Sequence, residues 1–223
     1  MRKATLLLTC FALIFAFSSC HIGSGVKGSG NRKTEKRDLA SFKAIDTTGA
    51  YEIQLTCQKP ASFEIEADDN ILPLIKTDVR DGVLYVSNQE RYNSRRAVML
   101  RISLPELVGV SSHGAGDIKV TDADSGDLKI ESTGAASVNA TGKAKSLTIS
   151  STGAGDIDTS RLHAEKARVS VSGAASINVY ASEQLDVAVS GVGSVTYSGN
   201  PKTVNKNVSG FGSVNKKEES SGT

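Results

Sequence analysis

Six segments of this chain align on a single glycine. They read Val110-Ser-Ser-His-Gly-Ala-Gly-Asp-Ile118, Ile130-Glu-Ser-Thr-Gly-Ala-Ala-Ser-Val138 and Ile149-Ser-Ser-Thr-Gly-Ala-Gly-Asp-Ile157. Then follow Val169-Ser-Val-Ser-Gly-Ala-Ala-Ser-Ile177, Val187-Ala-Val-Ser-Gly-Val-Gly-Ser-Val195 and Lys206-Asn-Val-Ser-Gly-Phe-Gly-Ser-Val214. The aligned glycines, Gly114, Gly134, Gly153, Gly173, Gly191 and Gly210, are spaced 20, 19, 20, 18 and 19 residues apart. An earlier copy, Ile45-Asp-Thr-Thr-Gly-Ala-Tyr-Glu-Ile53, puts Gly49 in the same role. A fixed period of this length is a solenoid signature: each repeat can bury its apolar face only against its neighbours.

The apolar phase says what the repeats are made of. Four residues before each glycine stand Val110, Ile130, Ile149, Val169 and Val187; four after stand Ile118, Val138, Ile157, Ile177, Val195 and Val214. The spacing is two and the residues are β-branched, which predicts strands. Two short strands per 19-residue coil, joined at the glycine, make an all-β solenoid whose equivalent strands pair in parallel about 4.8 Å apart. The glycine serves a corner, through positive φ or close backbone approach. A hydroxyl precedes it at Thr133, Thr152, Ser172, Ser190 and Ser209, with His113 in the first copy; such a ladder can bond corner backbone groups. Residues 39–107 follow another pattern. Phe63–Ala67, Val83–Ser87 and Val98–Leu104 read as strands, Asn70–Lys76 as a helical turn or two, and Asp81-Gly82 as a tight turn. This part is expected to cap one end of the regular repeats at 108–215, since a bare solenoid edge invites aggregation. Residues 39–215 are then one domain, and 216–223 a polar, disordered tail.

The first residues carry an address. Met1-Arg2-Lys3 precedes an apolar run too short to span a bilayer, and Phe17-Ser18-Ser19-Cys20 follows. Residues 1–19 read as a signal peptide. The sequence at Cys20 is similar to the lipobox of bacterial lipoproteins, which implies acylation of Cys20 and a membrane partner through its acyl chains; Phe17 departs from the usual leucine. Residues 20–38, rich in Gly and Ser and then charged, read as a flexible, lipid-anchored tether. No acidic run follows Cys20, which favours the periplasmic side of the outer membrane over the cell surface. Without residues 1–19 the chain holds 24 basic and 24 acidic residues. That neutrality offers no field for nucleic acid. Cys57 is then the only ordinary cysteine of the three, in phase with Ile53 and Leu55 and expected to be a small buried side chain.

The opening Phe42-Lys-Ala-Ile-Asp-Thr-Thr-Gly-Ala-Tyr-Glu-Ile53, the stretch Leu104-Pro-Glu-Leu107 and the Gly-Ala-Gly-Asp-Ile copies at Gly114 and Gly153 resemble the bacterial head GIN domain family of auto-transporter adhesins. The resemblance covers nearly all of residues 39–215. It implies a right-handed parallel β-helix, shaped like the pectin lyases without their catalytic residues, and an envelope lipoprotein of Bacteroidetes type.

Chemistry is sparse by comparison. Asp117 and Asp156 occupy equivalent positions in alternate coils, about 9–10 Å apart if the coils stack in register. That is too far to share one calcium ion and only just compatible with an inverting glycosidase. The carbohydrate-active enzyme is therefore the alternative, and turn-capping the expected role. His21, His113 and His163 lack partners at metal-ligand spacing, and neither a catalytic residue, a cofactor nor a metal site is expected. One cluster, Glu90-Arg-Tyr-Asn-Ser-Arg-Arg96, marks Arg91, Tyr92, Arg95 and Arg96 as candidate ligand-binding residues for anionic sugars or carboxylates. Asn139, Asp158, Asn178, Thr196 and Asn215 form one outward row suited to a glycan or protein ligand, and a second copy of the chain is a candidate partner. The expectation is a non-enzymatic binding, adhesion or scaffolding module.

Overall fold

The structure, a computed structural model, describes residues 25–217. It is 72% strand, and its stacked coils of about 20 residues form a β-solenoid of about five turns, as expected from the repeat. β1 (Val26–Lys27) and β2 (Arg32–Lys36) open the described chain. β3 (Ala44–Thr48) and β4 (Tyr51–Thr56) flank Gly49 as one coil. An excursion follows through β5 (Ser62–Asp68), a 3-10 turn at Leu72–Leu74, β6 (Ile75–Arg80), β7 (Val83–Asn88), β8 (Tyr92–Asn93) and β9 (Val98–Ser103). The regular array comprises β10 (Gly109–Ser112), β11 (Ala115–Ser132), β12 (Ala135–Ser151), β13 (Ala154–Val171), β14 (Ala174–Val189), β15 (Val192–Ser198), β16 (Thr203–Val208) and β17 (Phe211–Lys216).

Two ladders run the length of the molecule. The strands before the corner glycines stack in parallel as β7, β3, β10, the second halves of β11 to β14, and β16. Those after the glycines stack as β9, β4, the first halves of β11 to β14, β15 and β17. Among the described residues, antiparallel pairs occur only at the capping end: β6 on β7, β5 on β9, and β2 on β5. The turn joining β6 to β7 is the expected Asp81-Gly82, with both φ positive (52° and 74°), the geometry of a two-residue hairpin loop. The coil containing Gly49 does not end the stack. It lies between the β7/β9 layer and the β10/β11 layer, so the excursion folds back underneath it.

The apolar phase becomes the core. Ile130, Ile149, Val169 and Val187 face one another rung by rung, as do Ile53, Ile118 and Val138; all are buried. Full burial of such a side chain stabilises by about 1.5–3 kcal/mol. The coils of β11 to β14 also have a third paired segment, Ala123–Ser125 against Gly142–Ala144 and onward. Apart from Leu162, its inward residues are small (Ala123, Ser125, Ala144, Ala164, Ala181), and this is why alternation in sequence did not announce it. At the corners of the regular array, glycine is needed for close approach rather than for φ; Gly49 alone of the aligned glycines has a positive φ, 143°. A Cβ added to Gly134, Gly153 or Gly173 would strike the carbonyl oxygen of the glycine one coil below. That carbonyl accepts the next backbone bond of the corner, as in Ala154 N to Gly134 O at 2.9 Å and Ala174 N to Gly153 O at 2.9 Å. The hydroxyls before the glycines are exposed, and their bonds to corner carbonyls are long, 3.5 Å at Thr133 and Ser190.

The far end closes with charge. Lys206 takes the inward place that Val187 holds one coil earlier, and Lys216 the place of Tyr197. Lys206 Nζ donates to Val214 O at 3.0 Å and lies 5.0 Å from the Tyr197 ring centroid, over the end of the core. Inward lysines on the last coil oppose further strand addition. Lys217 N still bonds Tyr197 O at 2.8 Å, so the ladder reaches past the expected tail start at residue 216.

The expected tether at 20–38 requires correction from Val26 onward. β1 pairs with β8, and β2 is the outermost strand of the cap on β5. β2 has no apolar phase to reveal it; it is held by backbone bonds and charge. Arg32 Nε donates to Glu66 Oε1 at 3.3 Å, and Arg101 donates to Glu66 Oε2 at 2.8 Å. Arg37 donates to Ile75 O at 2.7 Å and to Leu72 O at 3.2 Å. The Glu66 carboxyl is held below the usual carboxylate range, first by the Arg101 hydrogen bond and then by Arg32, against an opposing effect of burial. A depressed carboxylate contributes stability that is complete above its ordinary pKa and lost as pH falls through the folded value. Acidification from neutral pH is therefore expected to loosen β2 before the regular array. Amide exchange at Arg32–Lys36 should quicken relative to β12, and equal protection at acidic pH would refute this.

Candidate functional site

The strands after the corner glycines present two outward rows. Three residues past each glycine stand Asp117, Ser137, Asp156, Ser176, Ser194 and Ser213; five past stand Lys119, Asn139, Asp158, Asn178, Thr196 and Asn215. Backbone pairing keeps them in register: Lys119 opposite Asn139, Asn139 opposite Asp158, Asp158 opposite Asn178, then Thr196 and Asn215. The outward row read from sequence is therefore one physical ladder, with a polar side chain at about every 4.8 Å. Asp158 Oδ1 accepts from Ser160 N at 3.0 Å and Ser160 Oγ at 2.6 Å, and Arg161 reaches Asn139 Oδ1 at 3.4 Å. A shallow depression of about 480 Å³ lies among Asp117, Asn139, Asp156, Asp158 and Arg161.

The 90–97 loop lies at the capping end of the same face, and the structure divides its four candidate residues. Tyr92 turns inward. Its hydroxyl donates to Ala50 O at 3.0 Å, and burial raises its pKa. Beneath it, buried Tyr51 is pushed up further, by burial first and by Tyr92 second. Arg91, Arg95 and Arg96 remain exposed, and none has a carboxylate partner among the described residues. Arg96 and Tyr92 line a cavity of about 350 Å³ that Glu52 and Asp117 also reach.

The groups with catalytic potential are placed differently. Cys57 is buried and its thiol is pushed up to about 11, by burial first and Asp122 second, so it stays protonated at neutral pH and is a poor nucleophile. His113 bridges Thr133 Oγ1 at 2.9 Å and Asp46 Oδ2 at 3.3 Å, a corner role. His163 packs on Tyr180 with ring centroids 4.5 Å apart. Asp117 faces Ser137 and Asp156 faces Ser176, and both aspartates are exposed. Among the described residues no group of three His, Cys, Asp or Glu could hold a metal ion, and no helix is long and apolar enough to cross a membrane. Cys20 and His21 lie outside the described residues.

One exposed feature escaped the sequence reading. The position just after each glycine runs Ala115, Ala135, Ala154, Ala174, Val192 and Phe211, with Phe211 90% exposed. The same alignment that revealed the core contains this row, but alanine at four of six places conceals its apolar end.

Comparison with known proteins places this architecture. The family described as "Putative auto-transporter adhesin, head GIN domain" matches residues 41–201. Among solved structures, a putative adhesin from Bacteroides fragilis is similar at 26% identity and a TM-score of 0.70, over 86% of this chain and 100% of that one. That solved chain thus consists of this fold alone. A putative lipid binding protein from Parabacteroides distasonis (18% identity, TM-score 0.49) and a putative adhesin from Parabacteroides merdae (20%, 0.47) each align over 86% of this chain and 99% of their own. No curated protein matches the sequence.

Proposed function

The chain belongs to the head GIN domain family, and on that footing we propose that it is a non-enzymatic, adhesin-like binding head of the bacterial cell envelope, held to the outer membrane by acyl chains on Cys20. Its ligand is an extended polar polymer, a glycan or a protein strand, laid across the rungs after the corner glycines. The observation that carries this reading is the register of Asn139, Asp158, Asn178, Thr196 and Asn215. A repeating polymer meets one similar polar group at each step of such a ladder. The groups stand on paired strands rather than on loops, so little conformational freedom is lost when they bind. Asp117 and Asp156 stand at equivalent, exposed places of alternate coils, so their surroundings do not divide them into an acid and a base.

The test is an array of glycans and extracellular-matrix proteins, probed with the chain from His21 onward. That chain keeps every described strand. Replacing Asn139, Asp158 and Asn178 together by alanine is expected to weaken capture at least about tenfold, a loss of only about 1.4 kcal/mol, while melting changes little. A ligand held equally by both proteins, or no capture at all, sinks the reading.

A further inference from the structure

We infer that the arginines of the 90–97 loop form a contact surface for anionic phospholipid headgroups, so that the capping end of the solenoid faces the membrane. Arg91, Arg95 and Arg96 are exposed and without a carboxylate partner among the described residues, whereas Arg101 nearby is neutralised by Glu66 at 2.8 Å. The loop is pinned from behind. Tyr92 donates to Ala50 O, and Ser94 Oγ donates to buried Asp68 at 3.0 Å. The three guanidinium groups are therefore presented outward from a fixed base. Exposed Lys27 joins them, because β1 pairs with β8 with Lys27 opposite Asn93; Glu90 is the one acidic residue of the loop.

The second observation is where the chain enters the fold. Val26 N donates to Arg91 O at 2.8 Å, and Gly28 N to Asn93 O at 2.8 Å. The first described residues thus lie directly on the arginine loop. Only residues 21–24 separate Cys20 from Gly25, and extended chain spans at most about 3.6 Å per residue, so Cys20 lies within about 18 Å of the loop. An acyl chain there holds the arginines at the headgroup layer. One acyl anchor gains lasting hold from a neighbouring basic patch, and guanidinium groups suit phosphate oxygens. The orientation rests on the anchored reading above; the lipid contact itself is testable without the acyl chain.

The experiment uses the unacylated chain from His21 onward with vesicles of phosphatidylglycerol in phosphatidylcholine, and with phosphatidylcholine alone. The chain is expected to partition onto the anionic vesicles only, and less so at high salt. Each basic residue near an anionic surface is worth about fivefold, so Arg91→Ala/Arg95→Ala/Arg96→Ala should lower partitioning on the order of a hundredfold. Arg91→Lys/Arg95→Lys/Arg96→Lys should keep most of it, and unchanged melting curves would show that all variants fold. The ladder variant at Asn139, Asp158 and Asn178 should partition like the parent, which separates failure of this contact from failure of the ligand face. Three outcomes overturn the inference: equal binding to both vesicle types, partitioning that survives the triple alanine change, or competition by soluble glycerophosphate at concentrations too low to screen charge. If the triple alanine change spares partitioning but abolishes capture of an acidic polysaccharide, the loop is instead a sugar site.

Discussion

Alanine at Gly153 is expected to destabilise the folded protein by about 3 kcal/mol or more, lowering the melting temperature by roughly 6–12 °C for a domain of this size. The added Cβ would point at the Gly134 carbonyl oxygen, which is backbone and already accepts from Ala154 N at 2.9 Å. No rotamer change relieves a clash between a Cβ and a fixed carbonyl, so two coils must separate or the Ala154 bond must lengthen. Overpacking against a mobile side chain costs less, typically about 1–3 kcal/mol. Gly126 is the control. A Cβ there meets nothing within 4 Å, and its φ lies outside the left-handed range. Gly126→Ala should be neutral or slightly stabilising, by up to about 1 kcal/mol, because it narrows the unfolded ensemble. Denaturant midpoints of the two variants decide the matter. Equal midpoints would mean that the glycine stack is not what sets coil spacing.

The second large effect is expected at Arg37, in a segment whose composition suggests a tether. Arg37→Ala should cost about 2–4 kcal/mol, because Ile75 O and Leu72 O both lose their charged donor beside the buried Leu72 and Ile75 side chains. Arg37→Lys should recover only part of this, since one ammonium cannot reproduce the guanidinium fork. If residues 25–38 were merely a leash, neither change would move the unfolding transition. The same measurement therefore tests whether the cap begins at β2.

The contrast between Gly153 and Arg37 explains what the sequence made legible. Ile130, Ile149, Val169 and Val187 recur at one phase from a glycine, and each needs only its equivalent residue for a partner, so local pattern and three-dimensional register coincide. The outward row from Asn139 to Asn215 was legible for the same reason. β2 reads Arg-Lys-Thr-Glu-Lys and carries no apolar stripe. Its partners lie on β5, more than twenty residues away, and no short window of sequence contains them. The arginine cluster was visible as composition. That Tyr92 turns inward while three arginines face outward depends on Ala50 and Asp68, which are distant in sequence.

The position of the Gly49 coil inside the stack has a consequence for the order in which the molecule is assembled. Ile53 pairs with Leu100 on one side and Ile118 on the other, both much later in the chain. Rungs of the regular array close loops of only about one repeat, and closure entropy grows with loop length. The array can therefore nucleate and grow among its own neighbours. The coil nearest the N-terminus must wait for segments made after it, although it leaves the ribosome first. Assembly then runs opposite to synthesis, and the cap, with its β2 edge, is the last part to lock. Until it does, β4 can pair with β11 of the array but lacks β9 on its other side, and that is the interval in which a folding helper would find an open strand edge to hold.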